Sequence, residues 1–313
     1  MRALTIVDRS TVFWGFACKT ELREMLYLIG LGLCDERDIT LRGLDAVKEC
    51  DYVYLEAYTS TLGVDPEKLS ALYSKPILVA DREFVEQNAE EMIERSKDRN
   101  VAFLVVGDPF GATTHTDLWI RAKRAGVPVK VIHNASIMNA IGCTGLQLYR
   151  FGETVSIVFF TDTWRPDSFY DKIESNRKLG LHTLCLLDIK VKEQSEENLC
   201  RGRKIYEPPR YMSVSLAAHQ LIEVSERRAA QAQERDPGTT WKPSYDAESI
   251  GVGVARIGHD DQLVISGTLR ELASTDFGTP LHSLVLAGDL HEMELEYISF
   301  FKKGSSTSSS SAC

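Results

Sequence analysis

The chain has 313 residues and a formal net charge of −9, with 45 acidic and 36 basic side chains and 43% hydrophobic residues. Binding to nucleic-acid phosphates depends on clustered lysine and arginine, so this charge balance argues against nucleic acid as a partner. The longest apolar runs, such as residues 101–106, fall far short of the roughly 20 residues that cross a bilayer, so we expect no membrane-spanning segment.

A chain of this length can bury two ordinary hydrophobic cores, and we expect two domains. Residues 1–24 are predicted to be a disordered extension, because their apolar patch at 12–17 is too short for a secretory signal and their acidic residues disfavour a transit peptide. Met25 opens directly into a strand-like run, so the fold is expected to begin there.

The first domain is predicted to span residues 25–133. Short apolar runs alternate there with helical patterns, which is typical of a mostly parallel sheet covered by helices. The predicted strands are 26–31, 52–55, 77–79, 101–106 and 127–132, and the predicted helices are 40–48, 84–97 and 114–125. The segment 133–140 mixes capping and apolar residues, and we place the domain junction there.

The second domain is predicted to span residues 134–301. Its continuous apolar runs indicate buried strands, and the pattern at 250–265 indicates an antiparallel hairpin. The stretch 190–210 is charged and predicted to be a loop or partner surface, whereas the polar stretch 231–248 is predicted to be a linker outside the core. A serine-rich tail at 302–313 is predicted to be disordered. The remaining predicted elements are strands 154–160, 183–187 and 283–287 and helices 167–179 and 214–230.

The first strand leads into a glycine loop with Gly30 and Gly32. Glycine lacks the Cβ that would block a ligand from the backbone. A dinucleotide-binding fingerprint would need glycine where Asp35 stands, so that function is disfavoured. A tight turn without a ligand explains the two glycines equally well.

A second glycine loop covers residues 107–115, after the apolar strand 101–106 and before a helix. It therefore lies at the carboxyl end of a parallel strand, where α/β folds bind ligands. The Asp108 carboxylate could pair with a cationic or hydroxyl group of such a ligand. An Asp-Pro turn ahead of a capped helix is the alternative, and both interpretations stay open.

Sharper catalytic signatures are absent from the sequence, which contains neither a phosphate-binding G-x-x-x-x-G-K-[ST] loop nor a G-x-S-x-G elbow nor an H-E-x-x-H helix. The seven histidines lie far apart along the chain, so we assign no metal. The seven cysteines include no C-x-x-C pair and are expected to be free thiols in a reducing cytosol.

Three segments taken together resemble the tetrapyrrole-methylase superfamily of S-adenosylmethionine-dependent enzymes. They are YLIGLGL at 27–33, GDPFGAT at 107–113 and HNASI at 133–137. Within the superfamily, the resemblance is to the diphthine synthase family and extends from Met25 to about Phe301. It is carried specifically by the stretches 56–60, 80–83, 161–166, 184–193 and 207–212.

The resemblance implies two α/β/α domains, S-adenosylmethionine in the cleft between them, no metal, and a cytoplasmic homodimer. The contacts it implies for this cofactor are Leu33, Asp108, Gly111, Ser136, Ile137, Leu187, Ile257 and His282. Without the resemblance, the apolar members would be interpreted as core, Ser136 as a helix cap and His282 as a surface residue. Many superfamily members continue the first loop with Pro-Gly-Asp, whereas this chain has Leu33-Cys34-Asp35.

The resemblance also implies a reaction. The substrate would be the aminocarboxypropyl group on a histidine of elongation factor 2, methylated on its amine and, in the eukaryote-like branch, on its carboxylate to give diphthine methyl ester. The sequence identifies no general base. Arg203 and Arg210 could grip the substrate carboxylate, although a solvated loop explains them too. The alternatives are a tetrapyrrole methyltransferase and a non-catalytic adaptor that holds elongation factor 2.

Overall fold

The computed structural model describes residues 24–56, 66–236, 238 and 241–302. The predicted disordered extension and tail therefore lie outside the described residues, apart from Glu24 and Lys302, and so does the family-like stretch 56–60 beyond Glu56.

The first half of the chain forms a five-stranded, fully parallel sheet, as predicted. Its strands run in the order β3-β2-β4-β1-β5, so β1 and β4 lie inside the sheet and are buried along their whole length. Burial on both faces explains their unbroken apolar sequences. The bounds are β1 Leu26–Gly30, β2 Tyr52–Glu56, β3 Ile77–Ala80, β4 Val101–Val105 and β5 Val129–Ile132.

Helices cover both faces of this sheet and enclose one apolar cluster on each side. The single helix predicted at 84–97 is wrong: two helices meet at Asn88, whose φ of −123° and ψ of 12° are not helical. Asparagine competes for backbone hydrogen bonds and favours such helix ends. The bounds are α1 Leu41–Glu49, α2 Pro66–Tyr73, α3 Arg82–Gln87, α4 Ala89–Arg95 and α5 Thr116–Arg124.

The second half forms a mixed five-stranded sheet in the order β11-β10-β12-β7-β6 and a separate two-stranded ladder of β8 and β9. The predicted hairpin is confirmed, because β10 and β11 pair antiparallel. Only β6 and β7 pair in parallel within the larger sheet. The bounds are β6 Val155–Ile157, β7 Thr183–Leu187, β8 Ile189–Lys190, β9 Arg210–Tyr211, β10 Ile250–Ala255, β11 Leu263–Thr268 and β12 His282–Leu286.

The prediction that 231–248 is a linker outside the core is wrong. The preceding helix continues to Arg235, and Tyr245 is 1% exposed with its ring centroid 5.1 Å from that of Tyr170. The stretch 190–210 also holds a short helix. The bounds are α6 Ile137–Ala140, α7 Ser168–Lys178, α8 Glu196–Cys200, α9 Val214–Arg235, α10 Leu269–Ala273 and α11 Glu292–Ser299. Among the described residues, every helix is too short or too polar to span a lipid bilayer.

Candidate active site

A cavity of about 370 Å³ lies between the two halves, at the ends of β1 and β4 on one side and of β7 and β10 on the other. This volume falls in the range of roughly 300–1,000 Å³ that is typical of small-molecule sites. Seven of the eight predicted cofactor contacts line it: Leu33, Gly111, Ser136, Ile137, Leu187, Ile257 and His282. Asp108 is the predicted contact that does not.

The two glycine loops meet at the cavity and bond to each other through their backbones. Gly32 and Gly107 exchange hydrogen bonds of 3.2 and 2.7 Å and have φ of +82° and +78°. A Cβ on Gly30 would lie only 2.5 Å from the Gly107 carbonyl oxygen. The glycines are therefore needed for contact between the two loops. From the sequence, they were explained either by a bound ligand or by a tight turn.

Asn134 ties the domain junction to the first strand, a role that sequence reasoning missed. Its Nδ2 donates to the Gly30 carbonyl at 3.0 Å and to the Asp38 carbonyl at 2.9 Å, and its Oδ1 accepts from the Ala135 N–H at 2.7 Å. A short helix, α6, follows at this junction and is capped by Ser136, whose N–H donates to Asn139 Oδ1 at 2.8 Å. An asparagine two residues after a predicted strand was the available signal.

The Asp108 carboxylate is occupied by protein donors. Its Oδ1 accepts from the Phe110 N–H at 2.9 Å, and its Oδ2 accepts from the Asn134 N–H at 3.0 Å and from His133 Nδ1 at 2.8 Å. Burial raises the pKa of Asp108, but these hydrogen bonds together outweigh burial and leave the pKa below its ordinary value. An ionised Asp108 thus fixes the second glycine loop against the domain junction.

The ring of His282 lines the cavity, and both of its nitrogens already form hydrogen bonds within the protein. Nδ1 accepts from the Val214 N–H at 3.4 Å, so Nε2 carries the proton and donates to the Thr279 carbonyl at 2.9 Å. Burial lowers the pKa of His282, which keeps the ring neutral. The imidazole can therefore pack against a bound ligand while its polar atoms remain satisfied.

Arg256 is a lining residue that sequence reasoning missed. Its guanidinium pairs with Asp261 at 2.7 Å and donates to the Phe277 carbonyl at 2.8 Å. The cavity wall therefore contains a cation whose charge is already balanced. An arginine at the end of a buried strand was its only sequence signal. In the part of the chain that the structure describes, no group of three histidine, cysteine or acidic side chains is placed to hold a metal.

Arg203 and Arg210 do not line the cavity. Arg210 donates twice to Glu193 Oε2, at 2.9 and 2.7 Å, and its guanidinium lies 4.8 Å from the centroid of the Phe159 ring. The Arg203 side chain is exposed. The loop reaches the cavity instead through Ile189 and Tyr211, which pair across β8 and β9 and both line the wall.

The family model that matches is that of the tetrapyrrole (corrin/porphyrin) methylases, over residues 25–218. The diphthine methyl ester synthase of Homo sapiens is 59% identical over 278 residues, covering 88% of this chain and 95% of the relative. That of Saccharomyces cerevisiae is 57% identical over 276 residues, covering 88% of both chains.

The fold is similar to a crystal structure of diphthine synthase, with a TM-score of 0.72 and 33% identity over 89% of this chain and 96% of the other. These matches confirm the family predicted from the three loop segments. The chain is therefore a methyltransferase that belongs to the diphthine methyl ester synthases of the tetrapyrrole methylase family.

Proposed function

We propose that this methyltransferase uses S-adenosylmethionine to methylate the aminocarboxypropyl-modified histidine of elongation factor 2, giving diphthine methyl ester in diphthamide synthesis. The observation that carries the proposal is the cavity itself. Seven predicted contact residues, drawn from segments spread between positions 33 and 282, surround one cavity between the halves. The names of the relatives support the choice of substrate.

The cavity fits the proposed cofactor. A Cβ on Gly111 would lie 2.5 Å from Ser136 Oγ, so glycine at this position lets the second glycine loop pack directly against Ser136 at the edge of the cavity. Leu33, Leu187 and Ile257 supply an apolar wall suited to a nucleoside, and His282 adds its ring. The cofactor supplies an already activated methyl group, and the protein supplies its position relative to the substrate.

The substrate amine must lose a proton before it attacks, whereas a carboxylate is nucleophilic as it stands. His282 is a poor choice of base because both ring nitrogens are engaged. Alignment of the substrate within the cleft is then the main contribution of this chain to the reaction, since a well-oriented pair of reactants lowers the barrier substantially.

Methyl transfer from isotope-labelled S-adenosylmethionine tests the proposal. The acceptors are elongation factor 2 bearing the aminocarboxypropyl histidine, unmodified elongation factor 2 and a porphyrin-type macrocycle. We expect label only on the modified factor, with mass spectrometry counting the methyl groups. Label on the macrocycle would identify a tetrapyrrole methyltransferase. Binding of the factor without any transfer would identify an adaptor.

Asp108→Ala is expected to weaken S-adenosylmethionine binding about tenfold, equivalent to about 1.4 kcal/mol, because the loop that carries Gly111 loses its anchor. Isothermal titration calorimetry measures the dissociation constant. Asp98→Ala, at an exposed site outside the cavity, is the matched control and should bind normally. Unchanged affinity in Asp108→Ala would remove Asp108 from the binding machinery.

Arg203→Ala and Arg210→Ala are expected to raise the KM for elongation factor 2 several-fold while the affinity for S-adenosylmethionine stays unchanged. Both arginines lie outside the cavity, on the exposed part of the loop whose base forms the cavity wall, where their positive charges can contact the surface of the protein substrate. Arg124→Ala, on the exposed side of α5, is the control. Normal kinetics in both variants would exclude the loop from substrate binding.

We also propose that the chain acts as a cytoplasmic homodimer. Large exposed apolar side chains support the dimer: Met293 on α11 is 70% exposed, Phe300 directly after that helix is 60% exposed, and Tyr149 in the turn 148–150 is 82% exposed. Large exposed apolar patches typically mark protein interfaces. Light scattering should give twice the protomer mass of 35.1 kDa, and Tyr149→Glu should reduce it to that of the protomer. Imaging of a tagged chain tests the cytoplasmic location.

A further inference from the structure

Residues 189–211, here called the strap, leave the second half of the molecule and return to it through one short ladder. Ile189 pairs with Tyr211 at the base of the strap, and both residues line the cavity. The two ends of the strap therefore form part of the cavity wall.

The strap crosses the cleft and is fastened to the first half by an ion pair. Lys192 Nζ lies 2.6 Å from Asp81 Oδ2, although the two residues are 111 positions apart. Asp81 also caps α3, because its Oδ1 accepts from the Phe84 N–H at 2.9 Å. The hydrogen bond from Lys192 contributes most to lowering the pKa of Asp81, so the carboxylate is ionised at neutral pH.

The backbone at Lys192 adopts an unusual conformation. Lys192 has φ of +59°, in the left-handed region that residues with a side chain rarely adopt. Its ammonium also lies 5.9 Å from the centroid of the Tyr206 ring, within the strap. Ala112 and Arg256, which line the cavity, share the left-handed conformation with φ of +62° and +50°. Such strain is typically concentrated at functional sites.

We propose that Lys192 and Asp81 form a latch that holds the strap across the cleft and so positions Ile189 and Tyr211 in the cavity wall. The side chains of Lys192 and Asp81 are 52% and 34% exposed, so solvent and salt can reach the pair. Exposed ion pairs contribute little to global stability, which allows the latch to open without unfolding the protein. Lys192 and Asp81 are thus positioning residues for the proposed methyl transfer.

Limited trypsin digestion measures strap opening directly, because Arg201 and Arg203 are exposed cleavage sites within the strap. Lys192→Met removes the ammonium. Asp81→Asn removes the charge while an asparagine still caps α3. We expect each variant to be cut after Arg201 and Arg203 at least fivefold faster than the unaltered chain, with an unchanged Tm. The double variant should be cut no faster than either single variant, since both remove the same contact.

Two further variants separate the latch from other roles of a lysine. Lys190→Met removes a neighbouring cation that pairs with Asp188 at 3.4 Å within the base of the strap, and its cleavage rate should not change. Lys192→Arg keeps the charge and should restore slow cleavage. Equal cleavage of Lys192→Met, Asp81→Asn and the unaltered chain would overturn the latch. Fast cleavage of Lys192→Arg would overturn it too, because the charge would then not be what holds the strap.

The expected effect of the latch on enzyme kinetics rests on the proposed function, whereas the digestion experiment does not depend on it. In the methyl-transfer assay, Lys192→Met and Asp81→Asn should raise the KM for elongation factor 2 more than they lower kcat, because a displaced wall mainly impairs positioning of the substrate. A fall in kcat at unchanged KM would contradict that role. If neither the variants nor the unaltered chain methylate elongation factor 2, the proposed function is wrong. The digestion rates still show whether Lys192 and Asp81 hold the strap.

Discussion

Glu294→Ala is expected to lower the free energy of unfolding by about 3–5 kcal/mol, because it leaves the buried His182 ring and two partly buried backbone N–H groups without an acceptor. Glu294 is 1% exposed, and its carboxylate accepts from the Gln147 N–H at 2.9 Å and from the His291 N–H at 2.8 Å. The third donor is His182 Nε2 at 3.3 Å, since His182 Nδ1 accepts from the Gly288 N–H.

The protonation states of Glu294 and His182 make the expected loss of stability large. Burial lowers the pKa of His182, so its ring is neutral and donates one hydrogen bond. Burial raises the pKa of Glu294, but its hydrogen bonds outweigh burial and leave the pKa below the ordinary value, so the carboxylate is ionised. The pair therefore joins a charged acceptor to a neutral donor and fixes α11 to the second sheet.

Urea denaturation followed by circular dichroism measures this loss. Glu296→Ala is the matched control, because Glu296 lies on the same helix with its side chain exposed, and its stability should change by less than about 0.5 kcal/mol. The loss of stability in Glu294→Gln should lie between those of Glu294→Ala and Glu296→Ala, since the amide oxygen can replace part of the carboxylate as an acceptor. A loss below about 1 kcal/mol in Glu294→Ala would show that the three donors find other partners.

The first sheet could be predicted from sequence because each of its strands depends on local chemistry. The apolar run at 101–106 is buried on both faces, so its sequence alone distinguishes it from a surface strand. Tyr245 could not be placed in this way. It lies in a polar stretch outside any helix or strand, and it packs against Tyr170, which belongs to α7.

The candidate site also depends on features that the local sequence does not reveal. Leu187 and Ile257 have the composition of core residues, and only the resemblance to a family assigned them to a cavity. The bond from Asn134 to Gly30 joins residues 104 positions apart, and the contact of Lys192 with Asp81 spans 111. No local pattern contains such pairs, because the first exists only after β1 and β5 have paired in one sheet, and the second only after residues 189–211 have packed against the first half of the chain.

Gly30→Ala is expected to weaken binding of the proposed cofactor, S-adenosylmethionine, at least about a hundredfold, or about 2.7 kcal/mol. The added Cβ would lie 2.5 Å from the Gly107 carbonyl oxygen and 2.7 Å from Asn134 Cβ. Neither neighbour can move alone, because Gly107 is bonded to Gly32 and Asn134 is bonded to Asp38. The second glycine loop must therefore shift away from β1, which displaces the cavity wall.

Overpacking of this kind typically costs about 1–3 kcal/mol of stability, so the fold should survive while the site does not. Gly142→Ala is the control, since its Cβ would meet the Leu148 side chain at an ordinary 3.4 Å. Calorimetry gives the affinity, and circular dichroism shows that the variant is folded. Affinity within twofold of the unaltered chain would mean that the glycine loops can separate without changing the cavity, and the close contact at Gly30 would then serve the fold alone.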